Sequence, residues 1–322
     1  MNVQDKYIEI LLHNKGFDNP NRWVEYARSH DFKKVKAKKI NYCPDCKSND
    51  SSKIGQYIYY SNLISLKECN VCRLIFSDVI FSDDVSESHF DVAYKDEDYF
   101  NENRRQIYLQ IASLLKDKVK LNGKVLDIGG AKGHLGSIIK ELRPDLKITI
   151  NDLSRKSCDY AKSRFGFETI CCPLGILDTE KMKYDCVLLI DVLYYERDIA
   201  KAWKIISDLA IHGVIIRIPN KLWLIKLLTF LTAFTKRRQE RMTNIALFNP
   251  EHIYIFRRSY LKKSLHKLGF EKVKIIPSKS LVSRRDLKVF QSIFFLFAML
   301  IYFFTFRQVV ITPAQLVFAQ KA

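Results

Sequence analysis

The chain is poor in glycine and proline, with 11 and 8 in 322 residues. That scarcity excludes collagen-like and linker-like compositions. Acidic residues are also few: 35 Asp and Glu stand against 53 Lys and Arg, a formal net charge of +18. No repeat period is visible, which excludes solenoids and propellers. The N-terminal stretch MNVQDKYIEI carries Asp5, Lys6 and Glu9 and has no apolar signal-peptide core. A reducing, cytoplasmic setting is therefore expected. What is present is a globular composition, 48% apolar and 27% charged, enough for a full core in one large domain or two. The positive excess calls for an anionic partner: nucleic acid, an acidic membrane face or phosphorylated substrates.

Four of the eight cysteines form two C-x-x-C pairs, Cys43/Cys46 and Cys69/Cys72. Two such turns can close a tetrahedral four-thiolate shell around zinc with no open position, which is a structural site. A redox dithiol would need only one pair. Cys171, Cys172 and Cys186 sit in apolar runs and read as small buried hydrophobes.

Residues 1–40 read as a helix-prone segment ending in a basic run, and 41–80 as a zinc ribbon with short strands. From 95 to 322, apolar strand-like runs alternate with helical patterns. Strands are expected at 124–128, 147–151, 168–172, 186–190, 214–218 and 272–276. Helices are expected at 134–142, 154–165, 199–209 and 259–268. Such alternation predicts an α/β fold with a mainly parallel sheet.

The sharpest motif is Val125-Leu126-Asp127-Ile128-Gly129-Gly130-Ala131-Lys132-Gly133. An apolar strand enters a glycine turn that opens a helix. It is not the dinucleotide G-x-G-x-x-G, because Ala131 occupies the second glycine's place, nor is it a P-loop. A carboxylate ahead of the glycines suits a ligand with an amino group. Asp152, at the end of the next strand, is placed to accept hydrogen bonds from a ribose diol.

With these residues the chain resembles a class I S-adenosylmethionine-dependent methyltransferase from about residue 96 to 322. VLDIGGAKG is similar to that family's first motif, NDLS to the end of its second strand, and YDCVLLIDVL to its fourth strand and turn. The CPDC and CNVCRLIF knuckles ahead of a Tyr99-Phe100 element resemble a subgroup tied to sugar and cell-envelope polysaccharide methylation. The resemblance implies a Rossmann-like, mostly parallel seven-stranded sheet. It implies S-adenosylmethionine held by Tyr99, Arg104, Asp127, Gly129, Gly130, Gly133, Asp152, Leu153, Leu174 and Asp191, and structural zinc held by Cys43, Cys46, Cys69 and Cys72. Two positions depart from the family pattern. Tyr195 stands where a histidine base is usual, and Cys172-Pro173-Leu174 stands where an aspartate usually reads the adenine.

Methyl transfer from a sulfonium needs alignment of the nucleophile, and a base only where the acceptor must lose a proton. Asp191, His252 and Tyr195 are the candidate catalytic residues. Asp191 lies at the carboxyl end of a parallel strand, where open α/β sheets bind ligands. His134 reads as a packing or solvated residue.

Two apolar insertions are expected in this region, at 221–245 and 285–308. Residues 289–306 carry no charge, a length at the lower limit for a membrane span. The last strand must rejoin the sheet, so this segment is expected to enter and return, or to lie in the interface. Basic residues flank both insertions. The expected function is methyl transfer to a saccharide or cell-envelope acceptor, lipid-linked, at the cytoplasmic face of an anionic membrane. An RNA methyltransferase and a non-catalytic membrane scaffold are the alternatives.

Overall fold

The computed structural model describes residues 37–59, 62–81, 97–116, 118–220, 222, 252–280 and 288–321. The expected helix-prone segment at 1–40, up to residue 36, lies outside the described residues. So does almost all of the 221–245 insertion. The chain divides into two compact units, Met1–Tyr99 with Lys221–Ile255, and Phe100–Asn220 with Phe256–Ala322.

The described residues of the first unit are mostly β, with the start of one helix at 97–99 and a helical Leu222. Strand β1 (Ala37–Lys39) pairs antiparallel with β5 (Val79–Phe81). Strands β2 (Ser51–Tyr59), β3 (Asn62–Cys69) and β4 (Ile75–Ser77) join β11 (Tyr254–Ile255) in an antiparallel sheet of order β11-β4-β3-β2. Leu66, Ile75 and Ile255 close its small core, with Leu222 packed against them. Asp78 is buried and accepts the Ser65 N–H at 2.6 Å, stitching the turn between β4 and β5 to β3.

The second unit is a seven-stranded sheet of order β12-β13-β10-β9-β6-β7-β8. Its strands are β6 (Lys124–Ile128), β7 (Lys147–Asp152), β8 (Glu168–Cys171), β9 (Tyr184–Ile190), β10 (Ala210–Pro219), β12 (Phe270–Pro277) and β13 (Ala314–Lys321). From β8 across to β10 the strands are parallel, and β13 runs antiparallel between β10 and β12. Every residue of β9 is buried, as a strand covered on both faces requires. The order reverses between β6 and β9, so their carboxyl ends flank the switch-point crevice where open sheets bind ligands.

The helices are α1 (Glu97–Leu115), α2 (His134–Leu142), α3 (Arg155–Phe165), α4 (Ile199–Leu209), α5 (Arg258–Lys267) and α6 (Lys288–Phe304). Local chemistry sets their ends. Ser154 caps α3 by accepting the Ser157 N–H, and Gly166 closes it at φ 72. Asp198 caps α4 through the Lys201 N–H. Trp203 Nε1 donates to the Tyr260 hydroxyl at 2.9 Å, joining α4 to α5.

Helix α6 packs against β12 and buries Ala298 and Tyr302. Its opposite side is exposed. β13 then returns to the sheet, with Gln315 opposite both Ile218 and Pro277. No helix among the described residues is long and apolar enough to cross a membrane.

Candidate active site

Asp127 is buried on β6, and its Oδ2 has no hydrogen-bond partner among the described residues. Burial, with the charge of Asp152 nearby, pushes its carboxyl up to about 8. The turn beyond it needs glycine for two reasons. Gly129 and Gly133 have φ of 66° and 79°, where a side chain strains the backbone. At Gly130 the limit is space, because a Cβ would stand 2.9 Å from Asp127 Oδ2. A Cβ at Gly129 would come within 2.7 Å of Val192 Cγ2. Packing of the neighbours, as well as ligand approach, therefore dictates the glycines.

Asp152 ties β7 to this turn. Its Oδ2 accepts the Ala131 N–H and its Oδ1 the Ser154 N–H, both at 2.9 Å. Burial pushes its carboxyl up, against those N–H bonds. Asn151 Nδ2 donates to the carbonyls of Ile170 and Cys172 at 2.9 and 2.8 Å, which fixes the turn after β8. Leu153 is more than half exposed beside Asp152, whereas Leu174 is buried in a short 3₁₀ turn.

Asp191 follows β9 with φ 61°, and its N–H donates to the Arg217 carbonyl at 3.0 Å. Its Oδ2 accepts from Arg104 Nη1 at 3.0 Å and from Arg217 Nη1. Arg217 is buried on β10, where its Nε donates to Ser278 Oγ at 2.9 Å and its Nη2 to the Lys279 carbonyl at 3.2 Å. A carboxylate oxygen already taking two guanidinium bonds has little capacity left to receive a substrate proton.

A 3₁₀ turn, Leu193–Tyr195, comes next. Tyr194 is buried, its hydroxyl is pushed well above its ordinary range by burial, and its ring centre lies 4.5 Å from that of Tyr195. Glu196 ends the turn; burial pushes its carboxyl up to about 7, with Arg197 opposing. His252 is partly buried in the first unit, just ahead of β11. Tyr99 lies on α1, with its side chain outside the described part of the structure.

The structure thus gathers Arg104, Asp127, Asp152 and Asp191 around the carboxyl ends of the central strands. Arg217, Lys279 and Glu196 were not foreseen as site residues. Arg217 had a signal, as the lone charge in the run Val-Ile-Ile-Arg-Ile. Lys279 had none.

In the first unit the four expected thiols meet, with all Sγ atoms within 4.8 Å of one another. Cys43–Cys72 and Cys46–Cys69 are each 3.5 Å apart. Four sulfurs about 2.3 Å from one zinc would lie roughly 3.8 Å apart, so the set fits a tetrahedral ion. The two knuckles have the same backbone. Lys47 N–H donates to the Cys43 carbonyl and Arg73 N–H to the Cys69 carbonyl, each at 3.0 Å. Lys47 and Arg73 both have positive φ, 61° and 71°. The contact with Cys72 pulls the Cys43 thiol down to about 6. These features fit a closed structural zinc site held by the chain alone.

Residues 100–275 match a family described as methyltransferase domain. No curated protein matches the chain. Among solved structures, the chain is similar to a SAM-dependent methyltransferase from Archaeoglobus fulgidus at 15% identity, covering 70% of this chain and 97% of that one, with a TM-score of 0.46. It is similar also to an O-methyltransferase family protein from Burkholderia thailandensis at 16% identity, covering 74% and 63%, with a TM-score of 0.44.

Proposed function

This chain belongs to the methyltransferase-domain family, and on that premise we propose that it methylates a saccharide or other cell-envelope acceptor, lipid-linked and met at the cytoplasmic face of the membrane. It is an S-adenosylmethionine-dependent methyltransferase. When bound, the cofactor supplies a methyl group already activated on a sulfonium. The residues present suit that ligand. The unpartnered buried oxygen of Asp127 suits its ammonium group, and Asp152 with the exposed Leu153 suits its ribose and base. Arg104 suits its carboxylate by charge. Asp191 then acts by positioning Arg104 and the turn after β9. Where the acceptor is a hydroxyl, Glu196 or Tyr195 receives its proton.

The membrane part rests on one observation, the exposed apolar side of α6. Phe290, Ile293, Leu296, Leu300, Phe303 and Phe304 are each more than half exposed. Water-exposed apolar surface on that scale marks an interaction site. At 17 residues the helix is about 26 Å long, shorter than the roughly 30 Å hydrocarbon core. One side is already packed on β12, so an in-plane placement suits it. An RNA track would interleave basic residues with exposed aromatics, and residues 289–306 contain no basic residue. The saccharide part is supported by the resemblance of the paired knuckles and glycine loop to envelope-polysaccharide methyltransferases. Zinc among the four thiols is proposed as the clamp of the first unit.

Two measurements test this reading. Flotation with anionic vesicles at low salt should carry the intact protein upward and leave behind a variant with Ile293, Leu296, Leu300 and Phe303 changed to Ser. An intact protein that stays at the bottom defeats the membrane reading. Labelled methyl from the cofactor should appear in the lipid-extractable, glycosidase-sensitive fraction of a membrane extract. Label in a nuclease-sensitive product would favour RNA.

A further inference from the structure

Two thiols of the second unit meet at the end of β7, beside the acid that suits the cofactor's ribose. Cys158 is buried near the start of α3, and Cys171, the last residue of β8, is only partly buried. Cys158 Sγ lies 3.7 Å from the Asp152 carbonyl oxygen and 4.0 Å from that of Ile170. Cys171 Sγ lies 3.6 Å from the Leu153 carbonyl oxygen. The two sulfurs therefore sit on consecutive carbonyls of one strand end. Asp152 and Cys171 are also partners across the β7–β8 ladder. Burial, with the Cys171 thiol as a hydrogen-bonding neighbour, pushes the Cys158 thiol up to about 12.

The other cysteines are placed differently. Cys172 Sγ meets the Asn151 amide at 3.9 Å, and Cys186 is buried within β9. The remaining four form the knuckle cluster. Cys171 was expected to be a buried hydrophobe, yet it is partly open to solvent and its sulfur meets a carbonyl. Filling a core does not require that arrangement.

We propose that Cys158 and Cys171 form an oxidation site, which hydrogen peroxide converts to a disulfide that loosens the hold on S-adenosylmethionine. The more accessible Cys171 meets the oxidant first, while burial keeps Cys158 protonated. The Cys171 sulfur takes one oxygen from the peroxide; the O–O bond breaks, water leaves, and a sulfenic acid remains. The Cys158 sulfur then attacks the Cys171 sulfur. An S–S bond forms, the S–O bond breaks, and the departing hydroxide takes the Cys158 proton to give a second water. One peroxide gains the two electrons that the two thiols lose. A small thiol reverses the bridge by exchange. In a reducing compartment, disulfides are scarce and those that form are transient or redox-sensing.

An S–S bond of about 2.05 Å draws the sulfurs together and removes both S–H donors from the Asp152 and Leu153 carbonyls. The end of β7 loses two weak tethers, and with them the setting of the Asp152 carboxylate. The bridge stands on the thiols alone. Its effect on the cofactor rests on the ribose lying at Asp152, as read above.

The test uses the full chain, purified with zinc present, treated with hydrogen peroxide, blocked with iodoacetamide and digested. The expected product is a Cys158–Cys171 cross-linked peptide that dithiothreitol removes. C158S should instead leave Cys171 as a sulfenic acid that dimedone traps. No bridge in wild type, or a Cys171–Cys172 bridge, overturns the site. By calorimetry, oxidised wild type should bind S-adenosylmethionine about tenfold more weakly than reduced protein, the size of two weak hydrogen bonds. Dithiothreitol should restore the affinity. C171S should bind equally before and after peroxide, and thermal melts check that both variants are folded. A C171S protein that weakens as wild type does places the effect elsewhere and overturns the link to the cofactor. So does a bridged wild type of unchanged affinity, which leaves the methyltransferase reading standing. Reduced protein that binds no cofactor defeats that reading, and the cross-linked peptide still decides the site.

Discussion

Asp191 and Arg217 are bonded to each other twice. The Arg217 guanidinium donates to the Asp191 carboxylate, and the Asp191 N–H donates back to the Arg217 carbonyl at 3.0 Å. The paired bonds explain how a non-glycine residue keeps φ 61° immediately after the central strand, since surrounding structure must over-determine such a backbone. They also bring Val192 down onto Gly129.

Removing Arg217 leaves the buried Asp191 carboxylate with the guanidinium of Arg104 in place of two. Arg217→Met should destabilise the protein by about 1–3 kcal/mol, read as a lower unfolding midpoint in denaturant. Arg217→Lys should recover only part, because one ammonium cannot serve Asp191, Ser278 and the Lys279 carbonyl together. An Arg217→Met protein as stable as wild type would show that the clamp contributes nothing.

Glycine has different work at two turns. Gly130→Ala pushes a Cβ against Asp127 and should weaken S-adenosylmethionine binding by about tenfold or more, as overpacking of roughly 1–3 kcal/mol implies. Gly166 has φ 72° and open space around it, so Gly166→Ala should cost about 1 kcal/mol of stability and leave cofactor affinity alone. Calorimetry and thermal melts separate the two effects.

The buried carboxyl of Asp127 should be visible in stability against pH. In the fold it keeps its proton up to about 8, against an ordinary value of 3.8. Between these values the folded state binds more protons than the unfolded one, so stability from this group is full at low pH and falls as pH rises through the window. Asp127→Asn should flatten that slope. If the cofactor's ammonium settles beside Asp127, the ionised form is favoured and binding near neutral pH should release protons. Calorimetry in buffers of different ionisation enthalpy measures the release, and a buffer-independent enthalpy would count against this placement.

Glu196 offers a check on the proton acceptor. With its carboxyl near 7, a base at this position is inactive when protonated, so turnover should rise as pH increases through about 7. Glu196→Gln should remove that limb without weakening cofactor binding. An unchanged profile would return the role to Tyr195.

Zinc content should be one ion per chain, lost on Cys43→Ser or Cys69→Ser. Because a metal bound only by the folded knuckles contributes directly to folding, chelation should lower the unfolding temperature of the first unit. Stability unmoved by chelator would show that the four thiols do not depend on an ion.

Much of the fold was legible in the order of residues alone. The strand at Lys124–Ile128 and the helices His134–Leu142 and Ile199–Leu209 fall at their expected bounds. Here apolar period and capping residues agree with tertiary packing. Strand ends were less legible: β10 begins at Ala210, four residues before its expected start. The added stretch includes His212, exposed, and Gly213, which break the apolar run. The knuckle cysteines and glycine turn were legible because their function lies in short-range spacing.

Sequence by itself determined the local devices, namely the paired knuckles, the glycine turn with Asp127 ahead of it, and the alternation that calls for a parallel sheet. Each is set by residues a few positions apart, whose types restrict the backbone directly. Only tertiary structure decided the partners of the charged groups. Arg217 meets Asp191 across 26 positions, and Lys279 meets Gln106 across 173. It also decided what the apolar run after residue 288 does. A run of Phe, Leu and Ile reads the same whether it fills a core or faces outward, because periodicity reports an apolar surface and is silent on what covers it. In the fold, β12 covers one side of α6, and the other side is exposed.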